Sequence, residues 1–151
     1  MAEKQQPDNV VELRARALRL LARREHTRKE LESKLSPHAG SSAELQTLIS
    51  GLKRKNQLSE ERFAEERVRR LSRKYGAARI RQDLKAKGVS DELVDRVSTA
   101  GDLERARAIL ERKYRTPATT REDKAKRMRF LQSRGFSAEV IFTLLSAKDA
   151  A

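Results

Sequence analysis

Lys87-Gly88-Val89-Ser90 recurs 47 residues later as Arg134-Gly135-Phe136-Ser137. In each copy a glycine follows a basic residue and precedes a serine, which is typical of a helix that ends at a left-handed glycine before a newly capped helix. Arg73-Lys74-Tyr75 recurs as Arg112-Lys113-Tyr114, at the shorter offset of 39 residues. The difference falls in a Pro- and Thr-containing loop at 116–123. A period near 47 residues predicts tandem units of three short helices.

Apolar residues at helical spacing extend this pattern to the first third of the chain, where Leu31 and Leu35 match Ile80 and Leu84. Capping signals, such as Thr27 with Glu30, mark several helix starts, and nine helices are predicted in all. The predicted fold is therefore all-α, with three three-helix repeats at residues 10–56, 57–100 and 101–151 behind a flexible tail at 1–9. Neighbouring repeats are expected to stack into an elongated, curved helical solenoid. The predicted core includes Phe63, Leu71, Tyr75, Ile80, Leu84 and Leu131.

Positive charge is concentrated in two stretches of the chain. The 151 residues include 35 Lys and Arg against 22 Asp and Glu, a formal net charge of +13. Residues 67–87 hold nine basic residues and one acidic residue, and residues 113–134 hold eight and two. Such clusters favour a polyanionic partner, because contacts with phosphates release condensed counterions. A solvated charged face is the alternative interpretation.

The nucleic-acid hypothesis rests on charge density, and it selects cations from both stretches. Tyr75 and Tyr114 each follow Arg-Lys at a helix end, where a tyrosine could stack on a base or fix one helix against the next. Four Phe and no Trp are too few for an aromatic platform, so phosphate contact is the expected mode of binding. The candidate binding residues are Arg67, Arg70, Arg73, Lys74, Arg81, Lys85, Lys87, Lys124 and Arg127.

Catalytic chemistry has little support in this sequence. There is no cysteine, which excludes disulfides and thiolate ligands and is typical of a reducing cytoplasm. The two histidines, His26 and His38, lack partners at metal-binding spacing and are expected to be solvated. A phosphate-binding loop of the Walker type and an apolar run of membrane-spanning length are also missing. We therefore expect no cofactor, no metal and no membrane association.

The central block resembles the RecX family of RecA recombination regulators. Gln57–Ala64, with its acidic helix start and Phe63-Ala64, is followed by Lys74-Tyr75-Gly76, then Arg79-Ile80-Arg81 and Lys87–Ser90. The outer repeats match less specifically, and Arg127 stands where the second repeat has Ile80. The similarity covers about residues 10 to 147.

This resemblance implies a cytoplasmic bacterial protein with three tandem three-helix repeats and no enzymatic activity. Family members bind along the groove of the RecA–single-stranded DNA filament, where they curb ATP hydrolysis, strand exchange and co-protease activity. The expected partners are thus the RecA filament and single-stranded DNA, with duplex DNA as a secondary candidate, and the chain is expected to act as a monomer. The alternative is a general nucleic-acid-binding module, such as a helix-turn-helix regulator or an RNA-binding protein.

Overall fold

A computed structural model describes residues 6–149, with side chains through residue 146, and this part of the chain is built from helices joined by turns. The all-α prediction is confirmed. None of the helices in this range is both long and apolar enough to span a bilayer. The helices are α1 (Val10–Arg23), α2 (Arg28–Leu35), α3 (Ser42–Arg54), α4 (Glu60–Leu71), α5 (Ala77–Ala86), α6 (Asp91–Asp95), α7 (Asp102–Lys113), α8 (Arg121–Ser133) and α9 (Ala138–Asp149), with a 3-10 turn at Ser36–His38.

Polar caps set the helix starts. Thr27 forms the predicted capping box: its hydroxyl accepts from the Glu30 N–H, and the Glu30 carboxylate accepts from the Thr27 N–H. Single caps begin α3 and α8, where Ser41 and Thr120 accept from the backbone N–H groups three residues on. Each cap satisfies an N–H that has no partner inside its own helix.

Left-handed residues terminate three of the helices. Gly88 and Gly135 both have φ of +89°, which places the two repeated glycines in the conformation expected after α5 and α8. Asn56 ends α3 in the same way, with φ of 61°. The recurring motif is therefore a recurring backbone turn.

The chain divides into two compact units. The first runs up to Glu65 and includes the returning segment Lys87–Ser90; the second contains Glu66–Ala86 and the chain from Asp91 onward. The boundary falls inside α4. In the first unit, α1, α2 and α3 bury an aliphatic core of Leu13, Ala17, Leu31, Leu35, Leu45, Ile49, Leu52 and Leu58.

The second unit packs α7, α8 and α9 around its own core. Arg127, on α8, is buried with 4% of its surface exposed, at the position that corresponds to Ile80. Its guanidinium donates to the Thr116 carbonyl oxygen at 2.8 Å and lies 4.5 Å from the ring centroid of Tyr114. An arginine thus replaces an isoleucine, with a carbonyl oxygen and an aromatic ring meeting its buried guanidinium. The core residues are Ala106, Ile109, Leu110, Leu131, Phe136, Ile141, Leu144 and Leu145.

Most of the predicted core is buried. Four of the six residues are at most 5% exposed, namely Phe63, Ile80, Leu84 and Leu131. Leu71 and Tyr75 are half-buried.

The predicted tail lies partly outside the described residues, which begin at position 6. Asp8 donates its N–H to the His38 carbonyl oxygen at 2.8 Å and pairs with Arg16 at 2.8 Å. Asn9 caps α1 by accepting from the Glu12 N–H. The residues just before α1 are therefore held by specific contacts.

Two close backbone approaches occur at matching places in successive repeats. At the first junction, in the first unit, the Thr27 hydroxyl donates to the Lys87 carbonyl oxygen at 2.6 Å. A Cβ added at Gly88 there would lie 2.7 Å from the Cβ of Lys29. Each contact joins the start of α2 to the turn that follows α5.

At the second junction, in the second unit, the Gly76 N–H donates to the Arg134 carbonyl oxygen at 2.8 Å. A Cβ on Gly76 would lie 2.6 Å from the Gly135 carbonyl oxygen, and one on Gly135 would lie 2.5 Å from the Cβ of Arg79. These distances are shorter than side chains tolerate, so glycine is required on both sides.

Candidate nucleic-acid interface

The last turn of α4 and the turn that follows it carry a group of exposed cations. Arg73 and Lys74 lie three and four residues after Arg70, and all three residues are exposed. They lie at the carbonyl end of the helix, where the dipole favours positive charge. Exposed guanidinium groups can bind phosphate oxygens through two parallel N–H donors.

Arg67 has a structural partner instead. Its Nε and Nη2 donate to the two carboxylate oxygens of Asp83 at 2.7 and 2.9 Å, which ties α4 to α5. A bidentate pair of this kind neutralises the charge and fixes the geometry of both side chains. We therefore leave Arg67 out of the candidate surface.

Arg81 and Arg127 also serve the fold. The half-buried guanidinium of Arg81 donates through Nε to the Val97 carbonyl oxygen at 3.1 Å, just after the end of α6. Arg127 is buried in the core and is out of reach of a phosphate. Of the other predicted residues, Lys85 is exposed, whereas Lys87 and Lys124 are half-buried.

An open groove of about 740 Å³ adds cations that the sequence analysis missed. Arg112, in the last turn of α7, and Arg115, two residues after the helix ends, line it together with Arg73. The Arg112 guanidinium donates to the Arg73 carbonyl oxygen, which anchors the end of α7 near the end of α4. The recurrence of Arg-Lys-Tyr in the sequence could have identified Arg112, because it places Arg112 at the repeat position of Arg73. The other lining residues are Ser72, Glu104, Arg105, Ala108 and Glu111.

A buried carboxylate positions one wall of this groove. Asp102, at the start of α7, is 4% exposed and accepts from the Ala77 N–H at 3.2 Å. It also accepts from Arg105 at 2.5 Å, so the Arg105 charge is balanced from within the protein. Asp102 thereby links the start of α5 to α7, and Arg73, Arg112 and Arg115 are left as the outward cations of the groove.

Three sequence models described as the first, second and third three-helix domains of RecX match residues 14–38, 59–97 and 100–145. The chain belongs to the RecX family. The predicted tandem three-helix repeats are confirmed by the same matches.

Relatives named regulatory protein RecX align with nearly the whole of this RecX-family chain. The protein from Ralstonia nicotianae is 40% identical over 147 residues, which cover 95% of this chain and 92% of the relative. The Leptothrix cholodnii protein is 41% identical over 140 residues, with 91% and 89% covered. The crystal structure of RecX from Lactobacillus salivarius, at 22% identity, has a TM-score of 0.81 and covers 94% of this chain and 97% of its own; it shares the fold.

The two tyrosines of this RecX-family chain are covered by cations of the protein itself. Arg79 lies 4.8 Å from the ring centroid of Tyr75, with Arg134 at 5.5 Å. Tyr114 meets Phe130 edge-on at 6.1 Å, beneath the Arg127 guanidinium. These contacts favour the role of fixing helices over that of stacking on a base.

The prediction of a solvated His26 is wrong, since the side chain is only 1% exposed. Its Nδ1 lies 3.0 Å from the Arg24 carbonyl oxygen and its Nε2 lies 2.9 Å from Lys34 Nζ. A carbonyl can only accept and an ammonium can only donate, so Nδ1 carries the proton of a neutral ring. Burial lowers the pKa of His26, which keeps it neutral. Its place directly before the cap residue Thr27 gives it a structural role.

Proposed function

We propose that this chain is a non-enzymatic regulator that binds the RecA–single-stranded DNA filament and inhibits its ATPase, strand-exchange and co-protease activities. It would act in recombination and repair in the bacterial cytoplasm. Membership of a regulatory family supplies the RecA connection, and the exposed cations of the second unit supply a surface for the nucleic-acid backbone.

The observation that carries this proposal is the convergence of two helix ends on one groove, where three outward arginines outnumber the lining carboxylates of Glu104 and Glu111. Arg73 of the first end and Arg112 and Arg115 of the second line the same open space. Arg70, in the last turn of α4, and Lys74, in the turn after it, extend the positive surface. We call these five residues the arginine surface. Their guanidinium and ammonium groups suit phosphate oxygens, which carry no base identity, so binding is expected to be independent of sequence.

The first experiment measures the DNA-dependent ATPase of the cognate recombinase while the chain is titrated in. Inhibition at substoichiometric amounts is the expected result, because one regulator that stops filament growth affects many subunits. Full ATPase activity at saturating, folded protein would overturn the proposed function.

A charge-reversal pair tests the arginine surface. The double variant Arg73→Glu with Lys74→Glu is expected to weaken filament binding at least tenfold, while its circular dichroism stays that of the parent. A matched control, Arg23→Glu with Arg54→Glu, makes the same change in net charge at exposed sites of the first unit. Equal losses in both variants would mean that net charge matters and the arginine surface does not.

A general nucleic-acid-binding module is separated from a filament regulator by gel-shift titrations over salt without recombinase. A phosphate-driven binder shows a steep loss of affinity with salt and little preference between sequences. Tight, sequence-selective binding to duplex DNA or structured RNA would favour the helix-turn-helix or RNA-binding alternative.

A further inference from the structure

The first unit carries a groove of a different character, between α1 and α3. Its volume is about 390 Å³ and its apolar lining includes Val10, Leu48 and Leu52. Val10 is 60% exposed and its neighbour Val11 is 77% exposed, so the apolar surface continues beyond the groove. We call this the α1–α3 groove. The remaining lining residues are Arg14, Ala43, Glu44, Thr47, Gly51, Lys55 and Gln57.

Gly51 makes the floor of the α1–α3 groove unusually open. It lies inside α3, where glycine weakens a helix relative to alanine. A Cβ added there would meet nothing within 4 Å, so no internal contact of the described structure requires glycine at this position. Glycine at this position leaves room in the groove for the close approach of another molecule.

Gln57 supplies a second, independent observation. Among the side chains that the structure describes, its Oε1 is the buried atom for which no hydrogen-bond partner is present. A buried acceptor without a donor is costly, and native proteins pair the great majority of such atoms. Other atoms of Gln57 line the groove while Oε1 is closed to solvent, so a ligand bound there can supply the missing N–H donor once the side chain turns outward.

The lining also indicates what kind of ligand would fit. The α1–α3 groove has no aromatic side chain on which a base could stack and no row of cations for a phosphate backbone. Arg14 and Lys55 are its cations, and neither pairs with a carboxylate within the described part of the chain. Glu44, the acidic lining residue, turns its carboxylate toward Gly40. An apolar surface with unpaired cations suits a protein segment that carries an apolar side chain next to an acidic one.

We propose that the α1–α3 groove receives a segment of the recombinase, which places an apolar side chain over Gly51, donates an N–H to Gln57 and brings a carboxylate to Arg14 or Lys55. This inference rests on the proposed function and divides the work between the units: the arginine surface binds the nucleic-acid backbone, and the first unit binds protein. The apolar part of the contact is insensitive to salt, in contrast to phosphate binding.

Gly51→Leu tests the proposal because its effects on folding and binding have opposite signs. Leucine fills the groove from the floor and has a higher helix propensity, so the melting temperature should rise by about 2–4 °C. Affinity for recombinase assembled on a polythymidine oligonucleotide should fall at least tenfold, measured by anisotropy of a labelled chain. Gly51→Ala, a smaller change, should also raise the melting temperature and lower the affinity, each by a smaller amount.

Ser50→Leu is the matched control, since it adds the same side chain to an exposed position of α3 that does not line the groove. Its affinity should stay within about twofold of the parent. Gln57→Leu removes the unpartnered oxygen; it should leave the melting temperature unchanged or higher and weaken binding about threefold to tenfold.

The outcomes separate the two proposals. Parental affinity in Gly51→Leu and Gln57→Leu, with inhibition of the recombinase intact, would overturn the groove assignment and leave the proposed function standing. A parent chain that neither binds nor inhibits the filament would overturn the proposed function, and the groove assignment with it. Equal losses in Gly51→Leu and Ser50→Leu would assign the effect to added apolar surface and also overturn the groove.

Discussion

The two junctions solve the same geometric problem with different chemistry. In each, the start of a repeat's second helix meets the turn after the second helix of the next repeat. His26-Thr27 stands at the first junction where Tyr75-Gly76 stands at the second, in the register that matches Leu31 with Ile80. At the first, a side-chain hydroxyl makes the contact with the facing carbonyl, and at the second a backbone N–H makes it.

The difference extends to how each helix start is capped. Thr27 caps α2 locally, whereas Gly76 has no side chain and α5 takes its cap from Asp102, 25 residues away in sequence. The second junction therefore brings backbones closer and depends on a distant carboxylate. Repeats that share an apolar pattern need not share their polar contacts.

The largest expected effect comes from glycine replacement at the second junction. Gly135→Ala should cost about 3–4 kcal/mol, because a positive φ is strained for alanine and the new Cβ would lie 2.8 Å from the Arg79 backbone nitrogen. Gly88→Ala should cost about 2–3 kcal/mol, since its Cβ meets only the Lys29 side chain. Urea unfolding followed by circular dichroism measures both. Equal costs would show that the second junction is no tighter than the first.

Loss of the Asp102 cap of α5 has the next largest expected effect on stability. Asp102→Ala should cost about 2–3 kcal/mol, because it leaves the Ala77 N–H without its acceptor and Arg105 without its counter-charge. Asp102→Asn keeps an acceptor oxygen and should recover part of this loss. If the Asp102→Ala and Asp102→Asn variants are both as stable as the parent in the same urea titration, α5 does not depend on this cap.

At the first junction, Thr27→Ala should cost about 2 kcal/mol through the lost helix cap and the unsatisfied Lys87 carbonyl oxygen. Thr27→Ser keeps the hydroxyl and serves as the control, with most of the stability retained. A serine variant as unstable as the alanine variant would assign the effect to the lost methyl group. The hydroxyl would then not account for the stability of the first junction.

The smallest effect is a pH dependence confined to the first junction. Burial lowers the pKa of His26 below 6.5, so the unfolded chain binds the proton more readily than the folded one. This contribution to stability is fully present above pH 6.5 and is lost as the pH falls toward the folded-state value. Melting temperatures of the parent between pH 8 and pH 5 should therefore decline more than those of His26→Gln. Parallel curves would show that His26 does not titrate on unfolding.

Local signals predicted the helices and their order well, while the use of individual cations depended on distant residues. The capping box at Thr27 and the left-handed Gly88 and Gly135 follow from neighbouring residues alone. Arg67 could not be recognised as structural, because its partner Asp83 is sixteen positions away on another helix.

The burial of polar side chains also could not be predicted from the sequence. Arg127 occupies a core position because Tyr114 and the Thr116 carbonyl oxygen happen to receive its guanidinium. His26 is buried because Lys34 and the Arg24 carbonyl oxygen satisfy both ring nitrogens. In the charge-rich stretches, counting cations located the arginine surface but could not separate its members from those that hold the fold.

The Asp102 contact limits how freely this architecture can be cut or recombined. A fragment that stops at residue 100 retains every residue of α5 yet lacks the carboxylate that closes its first turn. The same holds for Lys87–Ser90, which completes the unit before it. The second repeat thus contributes Lys87–Ser90 to the first unit, and the third repeat contributes Asp102 to the start of α5. Chimaeras that exchange repeats between relatives would need crossover points inside a repeat, so that both partners of each such contact come from the same relative.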